Sequence, residues 1–304
     1  MHKFYSNGKL LLSGEYLILD GATGLALPTL FGQELNVQKN DQENTLSWSS
    51  IDEKGAVWFE AQYSLPELTL LSFKGDRKVA ETLKKILLQA KKTNTAFLDT
   101  TNGIHVTTKL SFPRNWGLGT SSTLINNIAQ WAKVDAFDLL FNSFGGSGYD
   151  IACAQHDQAI KYHLKQGTPS IETAVFDPSF KDQLYFVHLN KKQISSESIK
   201  AYKRNKTDEK AVQRITEISK NILRANTLSD FNALLKEHES ILSSILKEQT
   251  LQQRLFSDFK GQIKSLGAWG GDFILATGDK STPDYFRQKG YQTVIPYTSM
   301  IKTI

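Results

Sequence analysis

The sequence has little cysteine and proline and no long apolar run. Cys153 is the single cysteine among 304 residues, which excludes an intrachain disulfide and is typical of a reducing compartment. No apolar stretch approaches the ~20 residues of a membrane helix, and the N-terminal residues lack the apolar core of a signal peptide. We therefore expect a globular, cytoplasmic protein that does not enter membranes.

Charge of either sign is also modest. Lys and Arg number 36 against 31 Asp and Glu, a net charge of +5, and the basic residues are scattered along the chain. A scattered distribution argues against a nucleic-acid partner and favours a small anionic or hydroxylated substrate. The same charge is equally compatible with an ordinary soluble surface, and the oligomeric expectation is a monomer or homodimer.

Length and patterning predict a two-domain protein of mixed α and β structure. At ~150 residues per domain, 304 residues suggest two domains. The turn-forming run at 166–169 predicts a linker, and hence domains at 1–166 and 167–304. Apolar spacing predicts helices at 79–92, across 212–245 and at 255–263. Alternation predicts a strand at 104–112, and a short apolar run predicts a strand at 16–19. The β-rich part comes mainly first.

A glycine- and hydroxyl-rich loop lies between that strand and a predicted helix. Gly117 and Gly119 permit a tight turn and close approach to a ligand. The first N–H groups of the helix, with its dipole, favour an anion. Thr120, Ser121 and Ser122 add hydroxyls that hold phosphate, bind a metal, or simply cap the helix. Taken alone, the loop is equally well explained as an ordinary capped helix.

Two further patterns place charge beside glycine turns. Asp150 follows a glycine-rich turn and precedes a predicted helix at 151–163, so it is either a helix cap or a base beside a hydroxyl. Lys9 and Glu15 flank a predicted strand turn near the N-terminus, where the plain interpretation is a surface ion pair.

Together these segments resemble the GHMP kinases, named for galactokinase, homoserine kinase, mevalonate kinase and phosphomevalonate kinase. The motifs occur in the family's order: 8–16, then Pro113 with 117–122, and finally the glycine loop at 267–272. Ser147-Gly148-Tyr149-Asp150 matches the Ser-Gly-x-Asp that carries the family's catalytic acid. The run Gly148-Tyr149-Asp150-Ile151-Ala152 resembles the signature of a subgroup named for those residues.

The resemblance implies a kinase that uses ATP and Mg²⁺ to phosphorylate a small metabolite. Asp150 would orient the acceptor hydroxyl or accept its proton, and Lys9 would keep Asp150 charged and stabilise the attacking oxygen. Ser121 would also reach Mg²⁺. The residues implied to bind ATP are Pro113, Gly117, Leu118, Gly119, Thr120, Ser121 and Ser122. Those implied on the substrate side are Glu15, Tyr16, Ser147, Gly148, Gly270, Gly271 and Asp272.

The implied fold is α+β with two domains. An N-terminal α+β domain would contain a left-handed β-α-β crossover, and a C-terminal domain would carry helices on an antiparallel sheet. The acceptor is expected to be a mevalonate-pathway intermediate, phosphomevalonate or mevalonate. Alternatives are a diphosphomevalonate decarboxylase-like enzyme, a sugar or heptose kinase of this family, and a non-catalytic nucleotide-binding protein.

The sequence departs from the family at two places. The segment between Ser121 and Asp150 contains no glutamate, whereas mevalonate kinase has one there that helps to hold Mg²⁺. Trp269 replaces a glycine of the third motif. We expect it to pack against the neighbouring domain, and the alternative is an aromatic lid over the substrate.

Overall fold

The computed structural model describes residues 1–191, 202 and 208–302. The chain forms two compact units that interleave along the sequence. The first unit comprises Met1–Gly8, Phe31–Arg114 and Leu118–Gln155, and the second comprises Lys9–Leu30, Asn115–Gly117 and His156–Ile304. The expected domains at 1–166 and 167–304 stay a prediction.

The first unit is built around a mixed sheet with helices against it. Its elements are β3 (Thr45–Ile51), β4 (Val57–Ser64), β5 (Leu70–Lys74), α1 (Arg77–Thr93), β6 (Gly103–Leu110), α2 (Thr120–Ala132), α3 (Ala136–Ser143) and α4 (Tyr149–Gln155). Two longer strands, β1 (His2–Ser13) and β2 (Gly24–Asn40), contribute residues to both units. The strand order here is β5-β4-β3-β6-β2, with β3 parallel to β6 and the other pairs antiparallel.

Helix α1 shows why these residues fold as they do. Asp76 caps its N-terminus by accepting from the N–H of Lys78, which satisfies one of the first unpaired donors. Leu83, Ile86 and Leu87 recur at helical spacing and are buried, so one face packs on the sheet. They join a core that contains Trp48 of β3. The helix predicted at 79–92 is confirmed.

The second unit carries a four-stranded antiparallel sheet of order β10-β11-β9-β12. Its elements are β7 (Ala159–Lys165), β8 (Thr168–Ala174), β9 (Leu184–His188), α5 (Glu209–Ile222), α6 (Leu228–Leu246), α7 (Leu251–Leu255), β10 (Ile263–Leu266), β11 (Phe273–Thr277), α8 (Thr282–Gln288), β12 (Val294–Pro296) and α9 (Tyr297–Met300). Helices α6 and α7 contact β10. The expected helices on an antiparallel sheet are therefore confirmed, and the handedness of the crossover stays a prediction.

Three segments differ from their sequence expectation. Residues 166–169 were expected to be a linker, but Gln166 and Gly167, both with positive φ, form the tight turn between β7 and β8, as two-residue hairpins require. The helix expected at 151–163 ends at Gln155, because alternating residues from 159 onward form β7. The strand expected at 16–19 is a 3₁₀ turn, Leu17–Asp20.

Across the part of the chain that the structure describes, no helix is long and apolar enough to span a bilayer.

Candidate active site

The N-terminus of α2 is preceded by a left-handed glycine. Gly119 has φ of 92° and supplies no side-chain cap, so the first N–H groups of the helix face outward with the positive end of its dipole. Ser121 is exposed, while Leu118 just before the turn is buried. The buried leucine anchors the loop and leaves the hydroxyl accessible. This arrangement suits an anion such as phosphate.

Helix α4 carries Asp150 and is tied to α2 inside the first unit. Positive φ at Gly146 and Gly148 turns the chain into α4, and buried Ile151 joins the core of this unit. Gln155 at the end of α4 donates to the side-chain oxygen of Asn126 on α2, at 3.0 Å. Helix α2 begins within the glycine- and hydroxyl-rich loop at 117–122, hereafter the hydroxyl loop. It is therefore hydrogen-bonded to helix α4, which carries Asp150.

A buried network of hydrogen bonds also connects α2 to strand β1. Asn126 donates to the hydroxyl of Ser6 at 2.8 Å, and Ser6 donates to Asn127 at 2.7 Å. Asn127 in turn donates to the backbone oxygen of Gln33 on β2 at 2.9 Å. Sequence reasoning missed these residues, although two adjacent asparagines inside an apolar helix were a usable signal, because asparagine is a weak helix former.

In the second unit, residues 14–16 form a tight turn after β1. A Cβ on Gly14 would lie 2.7 Å from the Cα of Gly24, so this position requires glycine. The N–H of Gly14 donates to Nε2 of His238 at 3.0 Å. The hydroxyl of Tyr16 accepts from the N–H of Trp269 at 2.7 Å. Residues 14–16 of the first motif and the glycine loop at 267–272 are therefore hydrogen-bonded to each other within this unit.

A cluster of buried ionisable groups lies under that turn. The ammonium of Lys264 on β10 is 2.6 Å from Glu15 and 3.9 Å from Glu239 of α6. His238 is fully buried, and its Nε2 is 3.3 Å from Glu15. Sequence reasoning missed Lys264 and Glu239. A single lysine inside the four-residue strand Ile263–Leu266 was the available signal.

Burial sets the protonation of this cluster. Desolvation raises the pKa of Glu239 to about 8, with Lys264 opposing the shift and Glu15 adding to it. Burial also raises the pKa of Glu15, against the opposing charge of Lys264. The pKa of His238 falls well below its usual value, through burial and then through Lys264. At neutral pH the arrangement therefore favours a neutral His238 and a protonated Glu239, and the ammonium of Lys264 donates to the carboxyl of Glu15.

The beginning of the hydroxyl loop contacts the glycine loop, also within the second unit. A Cβ on Gly117, which has φ of 66°, would lie 2.3 Å from Oδ2 of Asp272. Trp116 packs edge-on against Phe273, and the ring Nε2 of His188 is 3.3 Å from the backbone oxygen of Asn115. The loop is thus seated on β9 and β11 before it enters α2.

The predicted site residues divide between the two units. The first unit contains Pro113, Leu118, Gly119, Thr120, Ser121, Ser122, Ser147, Gly148 and Asp150, and the second contains Lys9, Glu15, Tyr16, Gly117, Gly270, Gly271 and Asp272. Within the first unit, the helices of Ser121 and Asp150 are brought together. Within the second, Tyr16 meets the glycine loop and Gly117 meets Asp272.

The described residues offer few protein ligands to a metal. Among the residues that the structure describes, no group of three or more His, Cys, Asp or Glu side chains is arranged to hold an ion. Mg²⁺ commonly keeps several waters and binds through phosphates and one or two protein groups. The exposed hydroxyl of Ser121 fits that sparse type of coordination, and a closed cage of protein ligands does not exist among the described residues.

No family model matches the sequence. No curated protein matches it either.

Solved structures resemble the whole chain. A mevalonate kinase from Methanococcus jannaschii matches with TM-score 0.71 and 11% identity, over 100% of this chain and 98% of that one. A Streptococcus pneumoniae phosphomevalonate kinase, in complex with phosphomevalonate and AMPPNP, matches with TM-score 0.69 and 14% identity, over 97% and 99%. A Lactococcus lactis galactokinase complexed with galactose gives TM-score 0.65 and 14% identity, over 99% and 94%. The chain has the α+β fold of the GHMP kinases.

Proposed function

We propose that this protein is an ATP-dependent kinase that phosphorylates a small metabolite, in the first place phosphomevalonate or mevalonate. The observation that carries the proposal is the N-terminus of α2, which is preceded by left-handed Gly119 and has Ser121 exposed. This helix is hydrogen-bonded to the helix that bears Asp150. The likeness in fold to mevalonate and phosphomevalonate kinases supports it.

On the donor side, the loop and the α2 N-terminus bind the phosphates of ATP. Backbone N–H groups and the helix dipole neutralise negative charge there. The hydroxyl of Ser121 holds Mg²⁺, which supplies further neutralisation when bound. The ATP-binding set is Pro113, Gly117, Leu118, Gly119, Thr120, Ser121 and Ser122. A solved neighbour that carries AMPPNP supports a nucleotide ligand.

On the acceptor side, Asp150 and Lys9 do the chemistry. Asp150 orients the acceptor hydroxyl and takes up its proton as the new oxygen–phosphorus bond forms. The bond between the γ-phosphorus and the bridging oxygen breaks, and ADP is the leaving group. Lys9 stabilises the negative charge on the attacking oxygen. Positioning and charge neutralisation supply most of the acceleration in phosphoryl transfer.

The remaining predicted residues lie on the acceptor side, where they bind the acceptor or position the residues that do. They are Glu15, Tyr16, Ser147, Gly148, Gly270, Gly271 and Asp272. The positive net charge of +5 favours a phosphorylated acceptor over a neutral one.

A screen of acceptors tests the function. ATP consumption is measured with mevalonate, phosphomevalonate, homoserine, galactose and heptose phosphates, and a phosphorylated product is expected with phosphomevalonate or mevalonate. Turnover of galactose or a heptose phosphate alone makes the protein a sugar kinase, which its galactokinase and heptose phosphate kinase neighbours favour as the second candidate. Release of carbon dioxide identifies a decarboxylase, and nucleotide binding without transfer identifies a binding protein.

Replacement of Asp150 tests the mechanism. Asp150→Asn keeps the size of the side chain and removes its ability to accept a proton. We expect the variant to bind ATP normally and to lose roughly 10²- to 10⁴-fold in kcat. Normal turnover with the acceptor found in the screen contradicts the role of Asp150.

A further inference from the structure

The turn at residues 14–16 contains an unusual backbone conformation. Tyr16 has φ of 63° and ψ of −52°, and the N–H of Leu17 donates to the backbone oxygen of Glu15 at 2.8 Å. This is a γ-turn with positive φ at its centre, the rare and strained form. For a tyrosine, such a conformation persists only where surrounding contacts hold it, and conformations of this kind cluster at functional sites.

Three contacts in the second unit hold the turn, one at each residue. His238 accepts from the N–H of Gly14 at 3.0 Å. The ammonium of Lys264 donates to Oε1 of Glu15 at 2.6 Å. The hydroxyl of Tyr16 accepts from the N–H of Trp269 at 2.7 Å. Because the third contact reaches the glycine loop, the conformation of the turn is transmitted to residues 267–272.

Lys264 is the charged centre of this arrangement. Its side chain is fully buried, and its ammonium also donates to the backbone oxygen of Ser265 at 2.8 Å. A buried ion pair adds little stability compared with apolar residues of similar volume, but removing one partner leaves an uncompensated charge. The pair is therefore better explained by the geometry that it imposes than by the stability that it adds.

Glu15 is held in a way that keeps it from contacting a ligand directly. It is 3% exposed. One carboxylate oxygen is bonded to Lys264, and the other lies 3.3 Å from His238. Its effect on the acceptor side passes through the backbone of the turn, through Tyr16, and through the hydrogen bond that its carboxyl accepts from the backbone N–H of Gly267.

We propose that Lys264 is a positioning residue for the phosphoryl acceptor: by fixing Glu15 it holds the strained turn, and through Tyr16 it holds the glycine loop. This rests on the proposed function, which assigns Glu15, Tyr16 and residues 270–272 to the acceptor side. Glu15 then acts as a second positioning residue.

The test compares Lys264→Met with Glu239→Gln. Both variants change the same buried cluster, but the carboxyl of Glu239 accepts a hydrogen bond from the hydroxyl of Ser265, whereas Lys264 donates to Glu15 of the 14–16 turn. With whichever of mevalonate or phosphomevalonate the wild type phosphorylates, we expect the KM for that acceptor to rise at least 10-fold in Lys264→Met. The KM for ATP should stay within twofold. In Glu239→Gln both constants should stay within twofold of wild type.

Amide hydrogen exchange gives a readout that does not depend on activity. Peptides that contain Gly14 and Trp269 should exchange at least 10-fold faster in Lys264→Met than in wild type. In Glu239→Gln their exchange rates should equal those of wild type. A folded Lys264→Met with wild-type acceptor KM and wild-type exchange overturns the proposal. Equal effects of both variants also overturn it, since they indicate general loosening of the core.

If Lys264→Met does not fold, Glu15→Gln is the variant that tests the same proposal. It keeps the shape of the side chain and a hydrogen-bond acceptor for Lys264, so a smaller rise in acceptor KM, about threefold or more, is expected together with faster exchange at Trp269. No change in either measurement overturns the proposal. A wild-type protein that phosphorylates no acceptor contradicts the proposed function, while the exchange comparison still decides whether Lys264 holds the turn.

Discussion

Buried Glu239 gives the protein a specific dependence of stability on pH. Burial raises the pKa of this carboxyl to about 8, whereas a glutamate in an unfolded chain titrates near ~4.3. Between those values the folded chain keeps a proton that the unfolded chain has released. The contribution of Glu239 to the free energy of unfolding therefore falls as pH rises through that interval, by at most roughly 1.4 kcal/mol per pH unit.

Glu239→Gln should remove this dependence, because the amide stays neutral at every pH. We expect the free energy of unfolding of the variant, relative to wild type, to increase from about pH 5 to about pH 8 and then to level off. Urea unfolding across that range measures it. Glu209→Gln, at an exposed position at the start of α5, is the control. Parallel curves for wild type and Glu239→Gln would show that the buried carboxyl is ionised throughout.

Gly117 illustrates a residue that is required for two reasons. Its φ is positive, and a Cβ would lie 2.3 Å from Oδ2 and 2.9 Å from Cβ of Asp272. Rotation of the aspartate side chain cannot relieve the second approach, so the loop itself must move. We expect Gly117→Ala to raise the KM for ATP about 10-fold, equivalent to roughly 1.4 kcal/mol.

The control is Gly167→Ala, in the turn between β7 and β8. Gly167 also has positive φ, of 81°, but a Cβ added to it would have no neighbouring atom within 4 Å. The two substitutions therefore share the backbone penalty and differ in the close approach. Steady-state kinetics with ATP as the varied substrate separates them, and equal KM values for the two variants would exclude a role for the contact between Gly117 and Asp272.

At the scale of elements, Asn126 joins α2 to α4 and to β1. Asn126→Ala leaves the hydroxyl of Ser6 and the amide of Gln155 without this partner in a largely buried environment, which costs about 1–3 kcal/mol of stability. The loosened tie between the two helices should also lower kcat. Urea unfolding and kinetics measure both effects. The control is Asn142→Ala, at an exposed position on α3, which should change stability by less than about 0.5 kcal/mol. An equally small effect of Asn126→Ala would contradict a stabilising role for the hydrogen bonds that join α2 to α4 and β1.

Elements with long one-sided periodicity could be predicted from the sequence, and short ones could not. Helix α1 and strand β6 lie where the apolar spacing predicts them. Leu17–Asp20 looked like a strand because its apolar run is too short to distinguish the two periods. Likewise, the expected third helix at 255–263 is the five-residue α7 followed by β10.

In the candidate site too, local patterns could be predicted from the sequence and long-range contacts could not. The hydroxyl loop and the glycine turns are local patterns, so they could be read from spacing alone. The partner of Glu15 could not be predicted in this way, because Lys264 is 249 positions away along the chain. The pairing of β10 with β11 and the packing of α6 bring Lys264 to Glu15. Long-range contacts of this kind leave no periodic signal in a single sequence.

At the scale of the whole molecule, the interleaving of the units limits how the protein can unfold. The chain passes between the units five times, and β1 and β2 each contribute residues to both. Loss of structure in either unit therefore releases strands on which the other depends. For a chain connected in this way we expect a single cooperative unfolding transition, although two-domain proteins often show more than one.

Nucleotide binding should shift that whole transition. A ligand that binds only the folded state at 100 times its Kd raises the free energy of unfolding by about 2.7 kcal/mol. We therefore expect Mg²⁺ and AMPPNP to raise the Tm by several degrees in scanning calorimetry. Asp150→Asn should show the same rise, because the proposed role of Asp150 is toward the acceptor. A Tm that is unchanged at millimolar AMPPNP contradicts nucleotide binding, and two transitions of which one shifts contradict the cooperative coupling of the units.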